Sequence, residues 1–262
     1  MPSMLHLSLP ISLLGAWAVF ARNFLVWRRL FWPALVMNFG EPALYLLGLG
    51  LGLGHFIGEM DGVSYLAFLA SGIIASSAMN TASFEGMYSV YTRMGPQKTY
   101  DAMLATPLRV QDIVLGEMLW CAAKAVFSAG GIFIVALALG LLTSPSALWV
   151  LPAAMLIGLA FAGPAMMMSA LARNYDFFNY YVVLVLTPML LVSGVFYPID
   201  SLPAGLRPWV DLLPLPHAVE LTRGIVLEAA LTRPWVNILV LSLYALFGFY
   251  SAAWLIRRRL LE

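Results

Sequence analysis

The stretch YLLGLGLGLGHF, residues 45–56, has glycine at every second position from Gly48 to Gly54 and allows three interpretations. At a period of two residues it is a strand with one bare face. As a glycine-rich loop it is a cradle for a phosphate. At a period of four it is a helix with two ridges of small residues, Gly48 with Gly52 and Gly50 with Gly54. The correct interpretation decides whether the chain is an enzyme or a membrane-embedded protein.

Composition favours the membrane. Apolar residues make up 62% of the 262-residue chain and charged residues only 10%, whereas a soluble domain carries roughly a quarter charged residues. The mean hydropathy is +0.88. Beyond Arg22, the long stretches without Asp, Glu, Lys or Arg cover residues 42–58, 62–84, 125–172, 177–199 and 234–256. The third is about twice as long as a span of about 20 residues requires and contains the turn-forming TSPS at residues 143–146. We therefore expect six membrane-spanning helices.

The glycine-rich run lies in the first of these spans. A strand with unpaired backbone groups is not stable in lipid, so a helix is expected. The phosphate-loop interpretation fails because the sequence contains no G-x-x-x-x-G-K-S/T pattern. Small residues four apart let a neighbouring helix approach closely. The glycines are therefore predicted to form a packing surface, within the chain or between subunits.

The distribution of Lys and Arg predicts the orientation. With the N-terminus inside, ten of these residues are cytoplasmic, three are outside, and Lys124 is left inside the third span, which is the bias expected for membrane proteins. The cytoplasmic ten are Arg22, Arg28, Arg29, Arg93, Lys98, Arg109, Arg173, Arg257, Arg258 and Arg259, and the other three are Arg207, Arg223 and Arg233. Both termini are then cytoplasmic. The single Cys121 excludes an internal disulfide framework.

An amphipathic helix is predicted at residues 12–32. Its aromatic residues recur at spacings of three and four and form one stripe, from which Arg22 and Arg29 point away. The stripe consists of Trp17, Phe20, Phe24, Trp27 and Phe31. Such a helix lies in the membrane interface, with the aromatic rings at the acyl boundary and the cations, including Arg28, among the headgroups. The alternative is a cytoplasmic flank of a longer first span.

The connection between spans two and three is the longest on the cytoplasmic side. Gly95 and Pro96 end the incoming helix, residues 98–105 fit a short helix, and Pro107 is expected to open the next one. This short helix is either a connector or a handle that a cytoplasmic partner moves.

The connection between spans five and six is too apolar for a solvated loop. Prolines divide it into short pieces, at Pro198, Pro203, Pro208, Pro214 and Pro216. Short helices that dip into the outer leaflet, shielded by protein, fit this composition.

Charged residues inside spans are costly and mark functional sites by default. Lys124 is expected to pair with Glu41 or Glu85 in the cytoplasmic half of the bundle, where the pair either holds an inward gate or fixes helix register. Tyr88, Tyr180 and Tyr181 offer an apolar face and a hydroxyl to an amphiphile, although tyrosines also form interfacial belts. His55 and His217 have no partner at ligand spacing, so no metal site is predicted.

Several motifs, in the same order, resemble those of ABC-2 type transporter permeases. LVSGVFYPIDSLPAGLRPWVDLLPLPHAVELTRG at residues 191–224 is similar to the signature region of that family, and YDAMLATPLRVQDIVLGE at residues 100–117 to its first cytoplasmic loop. ARNFLVWRR, DGVSYLAFLASG, ASFEGMY, DIVLGE and LTPMLLVSG resemble the subgroup that exports nodulation factors, which are lipo-chitooligosaccharides.

The resemblance implies an all-α membrane protein with the type V exporter fold. The expected single domain over residues 1–262 has an interfacial helix at 12–32, spans at 34–57, 63–90, 112–142, 147–172, 177–197 and 234–257, a coupling helix at 97–108 and a re-entrant segment at 198–232. It also implies a homodimer in the bacterial inner membrane that carries two copies of a separate ABC ATPase. ATP and Mg would be bound by that partner, since this chain has no Walker A motif and no enzymatic role is expected. Nucleic acid is not an expected partner.

Site residues follow from matching the motifs position by position. Contact with the ATPase is implied for Lys98, Thr99, Tyr100, Asp101, Met103, Leu104, Thr106, Pro107 and Leu108. The exit cap is implied for Ser193, Gly194, Tyr197, Pro198, Leu202, Pro203, Pro214, Pro216 and Arg223. Glu85 matches an acidic position near the cytoplasmic gate, and substrates in the family are amphiphilic.

Other functions stay open at this point. The exporter could carry a drug or another lipid-linked glycan. An ion-coupled secondary transporter would use Glu41 or Glu85 as proton carrier, but such folds usually show internal repeats, and the sequence shows none. A scaffold without transport is the third alternative.

Overall fold

The computed structural model describes residues 12–60, 62–142, 144–228 and 233–261. These residues form helices, apart from short turns and one small hairpin, in which β1 (Glu59–Met60) pairs antiparallel with β2 (Val63–Ser64). The helices are α1 (Leu13–Arg28), α2 (Phe31–Ile57), α3 (Tyr65–Phe84), α4 (Val90–Met94), α5 (Thr99–Leu104), α6 (Val110–Ala138), α7 (Val150–Leu171), α8 (Phe177–Tyr181), α9 (Thr187–Val192), α10 (Arg207–Val210), α11 (Pro214–Val226) and α12 (Pro234–Leu261).

Four helical segments are long and apolar enough to cross a membrane within the described residues. They are Tyr65–Met94, Val110–Ala138, Pro145–Leu171 and Pro234–Leu260, and two shorter apolar segments are Leu44–Ile57 and Phe177–Val192. All six lie where the sequence predicts spans. The all-α class is confirmed, while the count of six crossings stays a prediction because two segments are shorter than a full crossing.

The glycine-rich run is helical, as predicted, within α2. A Cβ on Gly50 would collide with the side chain of Leu66 on α3, and one on Gly54 would touch Tyr65 at 3.9 Å. At Gly48 and Gly52 no atom of the described residues lies within 4 Å of the added atom. One ridge therefore packs against α3 within the chain, and the other is open.

Helix α7 lies at the centre of the bundle, against α3, α6 and α12. Its crossing with α12 places Gly163 directly on Gly248, so the two backbones touch. Small residues permit this approach without a hydrophobic driving force between helices.

Two π-helical turns interrupt the long helices. Glu85–Ser89 joins α3 to α4, and Val182–Leu186 joins α8 to α9. A π turn frees backbone carbonyls from their usual partners. At the first turn, the Ser169 hydroxyl of α7 fills this need, since Oγ lies 2.6 Å from the Gly86 oxygen and 2.7 Å from the Met87 oxygen.

The segment between α4 and α6 differs in detail from the prediction. Helix α5 covers six residues, Thr99–Leu104, which is shorter than the expected 97–108. The expectation that Pro107 opens the next helix is wrong, because α6 begins at Val110. The Asp112 carboxylate accepts a hydrogen bond from the Arg109 backbone N–H at 3.1 Å, and this cap fixes the start of α6.

The chain between α9 and α12 folds into short helices, as its prolines predict. A 3-10 turn at Ile199–Ser201 and helix α10 precede α11, which packs against α3, α7 and α12. The turn that leaves α9 has Gly194 at φ +81°, a conformation that favours glycine.

Candidate functional site

A buried cluster of charges joins α1, the helix formed by α3 and α4, and α6. We call Glu85, Arg93, Glu117 and Lys124 the charge cluster. Arg93 bridges both carboxylates: its Nε and Nη2 donate to Glu117 Oε1 and Oε2 at 3.0 and 2.6 Å, and its Nη1 and Nη2 reach Glu85 Oε1 at 3.3 Å. Lys124 Nζ donates to Glu85 Oε2 at 2.9 Å.

Two further side chains complete the cluster. Trp120 Nε1 donates to Glu85 Oε1 at 3.0 Å, and Asn23 Nδ2 of α1 donates to Glu117 Oε2 at 2.9 Å. The side chain of Glu117 is 0% exposed and that of Glu85 7%. Buried charges are tolerated when they are paired and hydrogen-bonded, and the two acids and two bases here cancel.

Lys124 pairs with Glu85, one of its two predicted partners. The side chain of the other, Glu41, lies outside the described residues. Sequence reasoning missed Arg93, which it counted as a loop cation, and Glu117. Helical spacing could have found both, since Glu117 precedes Lys124 by seven residues and Arg93 follows Glu85 by eight, and such pairs lie on one helix face.

The geometry of α1 differs from a simple interfacial stripe. Phe20 and Trp27 pack edge-to-face on Trp120 of α6, with ring centroids 5.9 Å apart in each case, whereas Trp17 and Phe24 are exposed. Phe31 contacts Phe127 of α6 at 5.8 Å. Part of the predicted stripe therefore holds α1 against the bundle.

Arg22 also departs from expectation. It was predicted to point away from the aromatic stripe, but it lines the same cavity as Trp27. This space, which we call the polar cavity, has a volume of about 330 Å³ between α1, the α3–α4 helix and α6. Glu85, Tyr88, Arg93, Trp120 and Lys124 are among its other lining residues. Arg28 and Arg29 are exposed.

Helix α5 has an outer and an inner face. Asp101 and Ala102 on this helix are exposed, as is Thr106 in the turn after it, while Tyr100 is fully buried. Burial, and then the nearby Glu117 carboxylate, raise the pKa of the Tyr100 phenol, so the ring stays neutral. One side chain of α5 thus lies near the charge cluster, and its hydroxyl has no hydrogen-bond partner among the described residues.

The remaining predicted ATPase contacts divide between the two faces. Lys98 and Pro107 are exposed, while Thr99, Met103, Leu104 and Leu108 are half-buried. Leu108 packs against Gly15 of α1. A Cβ added to Gly15 would lie only 2.7 Å from the Leu108 Cδ2 atom. Leu108 therefore contributes to the attachment of α1 as well as to the loop.

The three tyrosines predicted on a substrate path do not come together. Tyr88 stacks between Phe84 and Tyr175, with centroids 5.7 and 6.2 Å away, and lines the polar cavity. On α8, Tyr180 is 66% exposed and Tyr181 only 9%. Of these three tyrosines, Tyr88 borders the charge cluster.

Arg223 organises the predicted exit cap at the other end of the long α3–α4 helix. Its Nε donates to Ser71 Oγ at 3.1 Å and its Nη2 to the Gly194 oxygen at 2.9 Å, and its guanidinium lies 3.6 Å above the Phe68 ring. Thr222 Oγ1 adds a bond to the Ser71 oxygen at 3.0 Å. Helix α11 is thereby tied to α3 and to the turn after α9.

The other predicted cap residues lie around this turn or on α11. Tyr197 donates its hydroxyl to the Leu191 oxygen at 2.6 Å, and Ser193 donates to the Leu190 oxygen at 3.0 Å. Pro198 precedes the 3-10 turn, Leu202 and Pro203 follow it, and Pro214 and Pro216 begin α11. His217, for which the sequence predicts no metal partner, is buried with Nδ1 2.7 Å from Asn237 Oδ1 and Nε2 2.8 Å from the Asp211 oxygen.

Comparison with known proteins adds independent findings. A family model described as ABC-2 type transporter matches residues 15–227. Nodulation protein J of Rhizobium leguminosarum bv. trifolii is 44% identical over 255 residues, which cover 97% of each chain. Nodulation protein J of Rhizobium meliloti (strain 1021) is 42% identical over 244 residues, 93% of each chain. Inner membrane transport permease YadH of Escherichia coli (strain K12) is 24% identical over 213 residues, 80% of each chain.

Proposed function

We propose a detailed function on the premise that this chain belongs to the ABC-2 type transporter family. Membership makes it a multi-pass membrane protein and the permease subunit of an ABC exporter. Our proposal concerns the substrate, the partners and the orientation. It places the chain in a bacterial inner membrane with both termini in the cytoplasm, as a homodimer with two copies of a separate ATPase that binds ATP and Mg.

The proposed substrate is an amphiphilic lipo-oligosaccharide. Two relatives named Nodulation protein J are 42% and 44% identical over nearly the whole chain, and the motif resemblance points to nodulation-factor export. Lipid and glycan analysis of a strain that lacks the gene tests this directly. Intracellular accumulation of an acylated oligosaccharide is expected, and accumulation of a drug or of a different lipid-linked glycan would redirect the assignment.

The observation that carries the proposed coupling is the two-faced helix α5. Its buried Tyr100 lies near Glu117, and its opposite face, with Asp101 and Ala102, is exposed. An ATPase bound to the exposed face would move a helix whose Tyr100 ring is packed in the interior near the charge cluster. In this proposal Glu85 and Lys124 hold the inner halves of the helices together, and Tyr88 borders the substrate path.

The coupling proposal is tested by co-purification of a Walker A ATPase with the permease. Ala102→Glu places a charge and bulk on the exposed face of α5 and is expected to abolish co-purification. Ala204→Glu is the matched control, since Ala204 is also exposed but lies between the 3-10 turn and α10. Leu108 is unsuitable for this test because it packs against α1. Equal co-purification by both variants would contradict the proposed ATPase contact.

Orientation has a separate test. A cysteine introduced by Ala102→Cys should resist a membrane-impermeant thiol reagent in intact cells and react after permeabilisation. Labelling in intact cells would place α5 outside and invert the proposed topology. Cys121 is fully buried, so the background labelling should be low.

The ion-coupled alternative is less well supported by the geometry. Glu85 already accepts hydrogen bonds from Arg93, Trp120 and Lys124. A proton carrier must lose such partners when it takes up a proton, and the other candidate, Glu41, has no described side chain. Co-purification of an ATPase also discriminates between these two functions.

A further inference from the structure

A large apolar cavity lies where α7 and α12 begin and α11 ends, at the end of the bundle that is proposed to face outward. We call it the outer cavity. Its volume is about 630 Å³, within the range of roughly 300–1,000 Å³ for small-molecule sites. An engineered apolar cavity of about 150 Å³ binds benzene, so the outer cavity has room for a long alkyl chain. Its apolar lining includes Leu156, Leu221, Ile225 and Ile238.

Two polar side chains line the same cavity at one end. Ser146 lies in the 3-10 turn before α7, and Glu228 follows α11. The Ser146 hydroxyl donates to Glu228 Oε1 at 3.2 Å, so the two residues lie together, and both are exposed. In the described part of the chain, no ion pair involves Glu228. An ionised carboxylate has about four acceptor positions, so Glu228 can accept further hydrogen bonds.

The outer cavity runs along α7 from the membrane surface inward. Trp149, exposed at the start of α7, lines it, and tryptophan is enriched at membrane–water interfaces. Leu156, which also lines it, follows seven residues later, about 10 Å deeper at about 1.5 Å per residue. The cavity thus has its polar end at the water and its apolar end in the bilayer, which is the order of groups in an amphiphile that stands in the outer leaflet.

We propose that the outer cavity binds the acyl chain of the exported lipo-oligosaccharide, while Glu228 accepts hydrogen bonds from hydroxyl or amide N–H groups of the sugar that carries the chain. The inference rests on the proposed function, which supplies the acylated sugar. A sugar head with many donors suits a carboxylate, because hydrogen bonds to an ionised acceptor are the strong ones. The phosphate of an anionic phospholipid would instead be repelled by Glu228.

Photocrosslinking of the full-length permease in phosphatidylcholine nanodiscs tests this proposal. The probe is N-palmitoyl chitotriose with a diazirine at the end of its acyl chain, and the crosslinked peptides are mapped by mass spectrometry. Crosslinks are expected on α7, α11 and α12, around Leu156 and Ile238. Crosslinks confined to other helices would overturn the proposal.

Two variants with matched controls test the two ends of the cavity. Leu156→Trp fills the apolar end and should lower crosslinking about tenfold, whereas Leu159→Trp, at a half-buried position of α7 that does not line the cavity, should not. Glu228→Gln removes the charge from an exposed side chain and should weaken probe binding roughly fivefold. Glu59→Gln, at an exposed position in β1, should bind like the parent. Parent-like crosslinking by Leu156→Trp, or equal binding by Glu228→Gln and Glu59→Gln, would contradict the proposal.

Two lipid arms separate the exported glycolipid from a membrane lipid. A phosphatidylcholine probe with the same photoreactive chain should crosslink to the cavity more weakly, because its choline head has no hydrogen-bond donor. Phosphatidylethanolamine added to the nanodiscs should not displace the glycan probe, since one ammonium replaces several donors. Equal crosslinking by the two probes, or full displacement, would assign the cavity to membrane lipid and overturn the proposal.

The proposed function has its own readout. Glycan accumulation in a strain that lacks the gene tests that function without reference to the outer cavity. Accumulation of the acylated oligosaccharide together with no crosslinks in the cavity would therefore overturn only this inference.

Discussion

Arg93 should be the most sensitive residue of the charge cluster, and Arg93→Met tests this. The substitution leaves Glu117 with Asn23 as its remaining hydrogen-bond donor, while Glu85 keeps Lys124 and Trp120. Glu117 is 0% exposed, so its charge cannot be solvated. Removing one partner of a buried ion pair costs about 3–5 kcal/mol.

Lys124→Met gives the internal comparison. Glu85 then retains its hydrogen bonds from Arg93 and Trp120, and Lys124 itself is 17% exposed. The loss should resemble that of one charged hydrogen bond, about 1.5–3 kcal/mol. Arg93→Met is therefore expected to destabilise the permease more than Lys124→Met, although both remove one positive charge.

The assay is the thermal unfolding midpoint of the purified permease in detergent, followed by tryptophan fluorescence. At roughly 2–4 °C per kcal/mol for a chain of this size class, Arg93→Met should lower the midpoint by roughly 6–20 °C. The double variant Arg93→Met/Glu117→Gln should recover part of this loss, because the orphaned charge is gone. The reasoning is refuted if Lys124→Met lowers the midpoint as much as Arg93→Met, or if the double variant is no more stable than Arg93→Met.

Three other predictions follow from close contacts elsewhere. Gly163→Ala should lower the thermal midpoint by an overpacking cost of about 1–3 kcal/mol, since the added Cβ collides with the α12 backbone, whereas Gly130→Ala, with 3.7 Å to the nearest atom, should be tolerated. Arg259→Ala removes hydrogen bonds to three carbonyls at the end of α7 and should lower the midpoint, while Arg257→Ala, at an exposed position, should not. Arg223→Lys should reduce export of the accumulated glycan while the protein still folds, because an ammonium cannot span both of its acceptors. Normal export by that variant would contradict a role for the Arg223 contacts in export.

The helical framework could be predicted because hydropathy and the cost of unpaired backbone in lipid act on each segment alone. The glycine-rich run illustrates this, since lipid leaves helix as the one stable form whatever its neighbours are. The small-residue spacing also predicted a packing ridge, which the structure places on Gly50 and Gly54. It could not indicate which of the two ridges faces α3, because that depends on the rotation of α2.

The charge cluster could be predicted only in part. Lys124 and Glu85 stood out as single charges in apolar spans, whereas Arg93 and Glu117 lie near span ends, where isolated charges are ordinary. Their burial becomes tolerable only when both are present together with Asn23 from α1, 94 residues before Glu117. A scale that scores each residue separately cannot represent this mutual compensation.

The π turn at Glu85–Ser89 also depends on contacts between residues that are distant in the sequence. Nothing in the local sequence EGMYS requires it, and the Ser169 hydroxyl, which donates to the Gly86 oxygen, lies 83 residues from Gly86. The turn places Glu85 toward Lys124 and Trp120 on α6. Tertiary contacts therefore decide the backbone at the residue where the cluster begins.

The position of Tyr100 links the two parts of the molecule that sequence reasoning treated separately. Tyr100 is fully buried beside Glu117, and Glu117 is bonded to Arg93 and to Asn23 of α1. Interiors are close-packed, so Tyr100 cannot move without either shifting Glu117 or opening a void. Any displacement of α5 therefore acts on the residues that hold α1, α4 and α6 together, whereas a plain connector with an exposed tyrosine would leave them undisturbed.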